Sequence, residues 1–194
     1  MGVISLLSAT TSASGSTATG NVTLAMPAPS YVPAGSICLA HIASTEPNTF
    51  TVPSGWALIR TGQISYQATQ ALYWHLTGSA ELTSYAWTTG GSVFFAGGIA
   101  CYAGVNAATP IDPGAPNGSG ATANGAGASA PAITTQTNGD LIVGFATVGE
   151  SGWGQNVSVQ FPSIMTSIWS LNNSNAASPQ RRVIKLNVAA TQLR

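Results

Sequence analysis

One uninterrupted apolar run constrains the fold of this chain more than any other feature. Residues 93–105 (VFFAGGIACYAGV) carry no charge, and after Asn106 the chain leads through a Thr-Pro turn to Asp112. The run is too short for a membrane helix, which takes about 20 apolar residues. The Gly97-Gly98 pair and the missing 3.6-residue stripe also argue against a surface helix. We therefore predict a long strand buried on both faces, with glycines where a neighbouring chain segment or a bend comes close.

Apolar or alternating segments, separated by Gly and Pro turn signals, recur along the rest of the chain. Residues 36–44 (SICLAHIAS) and 140–148 (DLIVGFATV) predict two more fully buried strands, and 56–60 with 68–76 predicts a pair. The best candidate for a helix, 78–82, is no longer than one turn. Strand signals at intervals of roughly 8–15 residues are typical of sandwiches and barrels. We predict an all-β fold, an antiparallel two-sheet, jelly-roll-like β-sandwich of about ten strands.

The length of 194 residues fits one well-buried domain. Residues 1–20 predict an N-terminal strand and loop, and the Gly/Ala/Ser-rich stretch 113–131 predicts a long surface loop inside the same domain. Residues 35–43 and 139–147 resemble each other, each with a turn glycine before an apolar strand. This similarity predicts two equivalent central strands.

Charge is scarce, and this limits the classes of partner. Charged residues make up 5% of the chain and the net charge is zero, whereas about 25% is usual in soluble proteins. We therefore expect neither nucleic acid nor a membrane as a partner. A surface of small neutral groups is typical of extracellular or virion proteins that work as assemblies. The N-terminal stretch 1–15 has no basic region and no secretion signal.

The few charges are unevenly distributed along the chain. All five acids lie at or before residue 150: Glu46, Glu81, Asp112, Asp140 and Glu150. Four of the five cations lie in the last fourteen residues: Arg181, Arg182, Lys185 and Arg194. Two interpretations stay open, an exposed and solvated C-terminal strand or a basic edge that docks on an acidic partner.

No residue pattern indicates catalysis, a metal or a cofactor. Cys38 and His41 are three apart on a predicted strand and so point to opposite faces, which excludes joint metal binding. Cys38 and Cys101 lie within apolar runs, where buried free thiols are favoured and a bridge between adjacent strands stays open. The acids lie near turns and strand ends, where capping or solvated roles are ordinary. We therefore predict a protein that is not an enzyme.

Aromatic side chains offer the remaining binding chemistry. Most of them alternate with apolar residues and predict core positions. Trp153 is the exception, because it lies in a Gly-rich loop beside Gln155 and Asn156, whose amides can bond sugar hydroxyls. These three residues predict a possible glycan contact.

Several spaced turns and strands resemble jelly-roll-type β-sandwich domains of bacteriophage virion proteins. The segments that carry the resemblance are VPAGS (32–36), PSGWALIR (53–60), YW (73–74), TG (77–78), YAWT (85–88), YAGV (102–105), ATPID (108–112) and NGDLIV (138–143). The resemblance covers roughly residues 30–150. Members of this family are structural, decorating or receptor-facing modules without catalytic residues.

The resemblance implies a virion protein, made in the host cytoplasm and added to a particle. The first hypothesis is a capsid decoration (cement) protein that binds the major capsid protein and copies of itself. Its expected contacts are the C-terminal cations Arg181, Arg182, Lys185 and Arg194. The alternative is a carbohydrate-binding or adhesion module of a tail or fibre, with Trp153, Gln155 and Asn156 at the glycan. An enzyme is the third hypothesis and has the least support.

Overall fold

The regular elements of the chain are antiparallel strands. The computed structural model describes residues 3–15, 21–28, 30–45, 48–64, 68–91, 93–112, 133–151, 161–174 and 182–192. Within these residues there are eleven strands and no helix. They are β1 Ser5–Gly15, β2 Asn21–Pro27, β3 Ile37–Thr45, β4 Phe50–Thr51, β5 Ala57–Ile64, β6 Ala68–Leu76, β7 Ser84–Gly90, β8 Phe94–Ala103, β9 Leu141–Ser151, β10 Thr166–Ser174 and β11 Arg182–Gln192. The predicted all-β antiparallel sandwich is confirmed.

A five-stranded central sheet organises the molecule, with the strand order β1-β8-β3-β6-β5. Strand β3 is buried along its whole length, and β8 is buried at all but its two terminal residues. The central pair keeps an unbroken register, with Ile37 opposite Tyr102 and Ser44 opposite Phe95. The prediction that the apolar run forms a strand buried on both faces is therefore confirmed.

A three-stranded front sheet, with the order β2-β7-β4, covers one face of the central sheet. Alternate residues of β3 point towards it, because side chains on a strand face opposite sides in turn. Cys38, Ala40 and Ile42 lie in one core cluster with Tyr85 and Trp87 of β7. All five are buried. This face of the central sheet is the aromatic core.

A three-stranded back sheet, with the order β10-β11-β9, covers the opposite face. Ile37 and Leu39, which alternate with the residues of the aromatic core, pack against Val143 of β9 and Ile168 of β10. Gly98 lets the sheets approach, since a Cβ on it would lie 2.6 Å from Cζ2 of Trp169. The expected close approach at a glycine of this strand is thus found, and the central sheet is covered on both faces.

Three predictions differ from the structure. Strand β9 is an edge strand with half-buried residues, so its prediction as a fully buried central strand equivalent to β3 is wrong; only one of its faces meets a core. Strand β1 extends to Gly15, where a loop was expected, because its small residues pair with β8. Residues 78–82 form an irregular turn and not a helix. The loop predicted at 113–131 lies outside the described residues.

Within the part of the chain that the structure describes, no helix is long and apolar enough to cross a membrane.

Candidate functional site

The most concentrated group of polar side chains lies at the connection between β6 and β7. Nε2–H of His75 donates to Oε2 of Glu81 at 2.9 Å, and Nδ1–H of His75 donates to the carbonyl oxygen of Gly55 at 2.9 Å. The hydroxyl of Tyr85 also donates to Oε2 of Glu81. The amide of Gly78 donates to Oε1 of Glu81 at 2.6 Å. Both oxygens of one carboxylate are therefore held by the protein.

The surroundings of this carboxylate favour its charged form. Burial by itself raises the pKa of Glu81, but hydrogen bonds from Tyr85, Gly78 and His75, together with the charge of His75, lower that pKa below its ordinary value. The pKa of Tyr85 is raised by burial and by its hydrogen bond to the charged Glu81. The cluster is thus an ion pair with a neutral phenol as a second donor.

The geometry of this cluster suits a structural role better than a catalytic one. A catalytic His–carboxylate pair leaves the second imidazole nitrogen facing a nucleophile. Here that nitrogen, Nδ1 of His75, is bonded to the Gly55 carbonyl, and Trp56 stacks on the ring with centroids 5.3 Å apart. The cluster therefore ties the turn before β5 to the β6–β7 connection.

A second polar group lies buried between the central and back sheets. His41 is 0% exposed, and its Nε2–H donates to Oγ1 of Thr147 at 2.8 Å. Oγ1 of Thr147 donates in turn to Oε1 of Gln70 at 2.8 Å. Nδ1 of His41 is buried without a hydrogen-bond partner. Burial lowers the pKa of His41 to about 4, against the opposing hydrogen bond of Gln70, so the ring is neutral at pH 7.

The structure also brings two of the predicted acids together. Asp112 follows the exit turn of β8, and its Oδ2 accepts a hydrogen bond from the amide of Gln136 at 2.8 Å. Burial, then the hydrogen bond and the negative charge of Asp112, raise the pKa of Asp140, against a hydrogen bond from the backbone of Thr137. Two carboxyl groups in direct hydrogen-bond contact must share a proton. They leave no room for the sugar that a glycosidase carboxylate pair would enclose.

The cysteines correct another expectation. Cys38 and Cys101 face each other across β3 and β8, with Cα atoms 4.0 Å apart, and form a disulfide. The favoured prediction of buried free thiols is therefore wrong, and the alternative of a bridge between adjacent strands is correct. Cys38 lies in the aromatic core while His41 contacts the back sheet, so the prediction that they point to opposite faces is confirmed.

Most of the predicted binding residues fall outside the described part of the chain. This applies to Trp153, Gln155 and Asn156 of the predicted glycan contact, and to Arg181 and Arg194 of the basic segment. Arg182 and Lys185 are on β11, paired with Ser151 and Val148 of β9. Since β11 lies between β10 and β9, the backbone at these two cations is not a free sheet edge, and the expected basic edge is corrected to a central strand.

Few sequence patterns indicate the polar clusters. His75 and Glu81 are six residues apart on either side of a turn, a spacing that indicates no particular contact. Asp112 and Asp140 are separated by the Gly-rich stretch, so only the tertiary fold brings them together. Among the residues described, no group of three or more His, Cys, Asp and Glu side chains is arranged to hold a metal ion.

No protein-family model, curated protein or solved structure matches this chain.

Proposed function

We propose that this chain is a non-enzymatic structural protein of a bacteriophage virion, a capsid decoration protein that binds the outside of the shell and stabilises it. The observation that carries the proposal is that the polar clusters form intramolecular hydrogen bonds that stabilise the fold. His41, His75 and Glu81 bond to the protein's own groups, as do Asp112 and Asp140. The role that we propose for the exterior of the protein is therefore packing against another surface.

The disulfide supports a destination outside a reducing compartment. Disulfides persist in oxidising surroundings, including virion surfaces, and are rare in the cytosol. Cys38 and Cys101 are both buried, at 4% and 0% exposure, so a bond once formed is shielded from reductants. A protein made in the host cytoplasm would form this bond after release or during particle assembly.

The outward face of the back sheet is the surface that we propose meets the shell. Exposed positions on β10 are small and uncharged, as at Thr166, Ser170 and Asn172. Lys185 of the neighbouring strand β11 is paired with Asn172 and so shares its face, whereas Arg182, three residues earlier on the same strand, lies on the other face. Small neutral groups allow close approach, and a cation adds attraction to an acidic shell surface. The contact would therefore weaken with salt.

Capsid binding with charge variants tests the proposal. Purified protein should bind expanded capsids of the phage that encodes it, and raise their resistance to heat. The change Lys185→Ala should weaken binding up to about fivefold at low salt, since an exposed ion pair contributes up to about 1 kcal/mol. Arg60→Ala is the matched control, because Arg60 is on β5 of the central sheet. Absence of capsid binding, with unchanged particle stability after gene deletion, would refute the proposal.

A glycan array separates the alternative, a carbohydrate-binding module of a tail or fibre. That function predicts saturable binding to a defined glycan, which Trp153→Ala removes. Binding to glycans without binding to capsids would replace the decoration hypothesis with the tail or fibre hypothesis.

A further inference from the structure

Three segments from different parts of the chain are joined at one end of the sandwich. Oγ of Ser8 in β1 donates to the carbonyl oxygen of Ser30 at 3.0 Å. The amide of Ala28 donates to the carbonyl oxygen of Thr83 at 3.0 Å. The start of β1, the β2–β3 connection and the β6–β7 connection therefore lie side by side.

Large apolar side chains project from these joined segments into solvent. Tyr31 is 86% exposed, Leu82 is 62% exposed and Leu6 is 46% exposed. Each is within three residues of one of the joining hydrogen bonds. We call these three residues the apolar end patch. Exposed apolar groups brought together in this way mark interaction sites more often than isolated ones do.

The backbone of Tyr31 shows that the fold holds this aromatic ring outward at a cost. Its φ is 53°, and among the described residues it is the one non-glycine residue with a positive φ. Bulky side chains avoid this region because Cβ crowds the following carbonyl, and glycine is the ordinary residue there. A strained and exposed tyrosine points to a role in binding, since strain persists where function requires a fixed geometry.

The charges around the patch decide which partner it fits. The joined segments contain one charged residue, Glu81, and its carboxylate is turned to His75, Tyr85 and the Gly78 amide. An electrically neutral patch can face an identical patch without repulsion, and two-fold pairing of identical surfaces is the commonest form of association. The same neutrality gives no attraction to nucleic acid or an anionic membrane.

We propose that the apolar end patch is the contact between two copies of this chain, related by a two-fold axis, with Tyr31 as its anchor. Tyrosine is among the residues that dominate binding energy at interfaces. The inference deepens the proposed function, which expects an oligomer, yet it is tested without any capsid. Failure to bind capsids would therefore not contradict the proposed dimer. A monomeric protein would likewise not contradict capsid binding.

Sedimentation and native mass spectrometry of three variants test this contact. The unaltered protein should be a dimer that dissociates on dilution. Tyr31→Gly should weaken the dimer at least tenfold, and Leu82→Ser should do the same. Leu58→Ser is the matched control, since Leu58 is 54% exposed but is on β5, outside the three joined segments. It should leave the dimer unchanged.

A second measurement separates loss of binding from loss of folding. Glycine relieves the positive φ at position 31, so Tyr31→Gly should raise the midpoint of thermal unfolding when both proteins are monomeric at high dilution. A variant that is more stable as a monomer and poorer as a dimer is the expected result. A monomeric unaltered protein at about 100 µM, or a dimer that neither patch variant weakens, would overturn the proposal. Binding of capsids or glycans through Tyr31 by a monomeric protein would overturn it too.

Discussion

The two faces of the central sheet are built from different chemistry. Towards the front sheet, Trp87 meets Trp56 with ring centroids 5.1 Å apart, and Trp56 meets Tyr85 at 5.2 Å. These rings are almost wholly buried. Towards the back sheet, the central contact is the hydrogen-bonded chain from His41 through Thr147, flanked by side chains of β9 and β10 that are half-buried. One face is packed with aromatic rings, and the other contains a polar network.

This difference indicates that the front and central sheets are more stable together than the contact of the back sheet with them. The front and central sheets come from residues before 112, and the disulfide between β3 and β8 links two neighbouring strands of the central sheet. The back sheet comes entirely from residues after 133 and docks on a finished sandwich. Partial opening of a protein follows its less well-buried contacts. We therefore expect the back sheet to separate before the sandwich unfolds.

Replacement of one tryptophan on each face gives the largest effects. Trp87→Ala should lower the free energy of unfolding by about 3–5 kcal/mol, the usual cost of removing a fully buried aromatic ring. Trp169→Ala should cost about half as much, because Trp169 is only partly buried at the back-sheet contact. Chemical denaturation measures both values. Equal losses would show that the two faces contribute alike.

Mild acid should weaken the back-sheet contact selectively. His41 is neutral in the folded protein with a pKa of about 4, whereas a histidine of the unfolded chain takes up a proton near its ordinary pKa of 6.5. Stability is therefore full above pH 6.5 and is lost as the pH falls towards 4. At 1.36 kcal/mol for each unit of pKa difference, the loss reaches about 3 kcal/mol. Amide hydrogen exchange in β9 and β10 should rise before exchange in β3.

Glu81 titrates in a pH window that differs from that of His41. The lowered pKa of Glu81 means that its contribution to stability is lost only as the pH falls below the ordinary glutamate pKa of 4.5. His41→Gln, which keeps a neutral hydrogen-bonding side chain, should flatten the stability curve between pH 6.5 and 5. An unchanged slope in this variant would show that another group causes the acid sensitivity.

Sequence patterns could predict the central sheet because the hydrophobicity of its residues indicates that they are buried. The uncharged runs that became β3 and β8 have few alternatives to burial on both faces, and the Gly97-Gly98 pair indicated a close neighbour. The same pattern misled at β9, where a nearly continuous apolar run lies at a sheet edge. Hydrophobicity indicates that a strand meets a core, but the number of neighbouring strands depends on contacts distant in sequence.

The polar contacts were less predictable for the same reason. His41 looked like one apolar-strand residue among others, and its partners Gln70 and Thr147 come from strands far along the chain. The positive φ of Tyr31 has no local signal either, since glycine would be the expected residue there. Side-chain chemistry can be read from the sequence, whereas the pairing of two such groups requires the fold.

A smaller change tests how closely the back sheet is fitted. A Cβ added by Gly98→Ala would lie 2.6 Å from Cζ2 and 2.8 Å from Cε2 of Trp169. The indole ring must move, and overpacking of this kind costs about 1–3 kcal/mol. The change should raise hydrogen exchange in β10 and leave that of β7 unaltered. Gly78→Ala in the β6–β7 connection is the control, because the added Cβ would meet only Oε1 of Glu81, at the ordinary contact distance of 3.8 Å.

The smallest expected effect on stability comes from Asp140, and its dependence on pH is opposite to that of His41. The raised pKa of Asp140 means that the folded protein holds the shared proton more tightly than the unfolded chain does. Its contribution to stability is therefore full below the ordinary aspartate pKa of 3.8 and is lost as the pH rises through the pKa of the folded protein. Asp140→Asn supplies a permanent donor to Asp112 and should raise stability at pH 7 by less than about 1 kcal/mol, since solvent screens the pair. Thermal unfolding at pH 7 and pH 3.5 measures this gain, which should vanish at the lower pH. A loss of stability at pH 7 would mean that the two carboxyl groups do not share a proton, and that the back sheet is not joined to the sandwich through them.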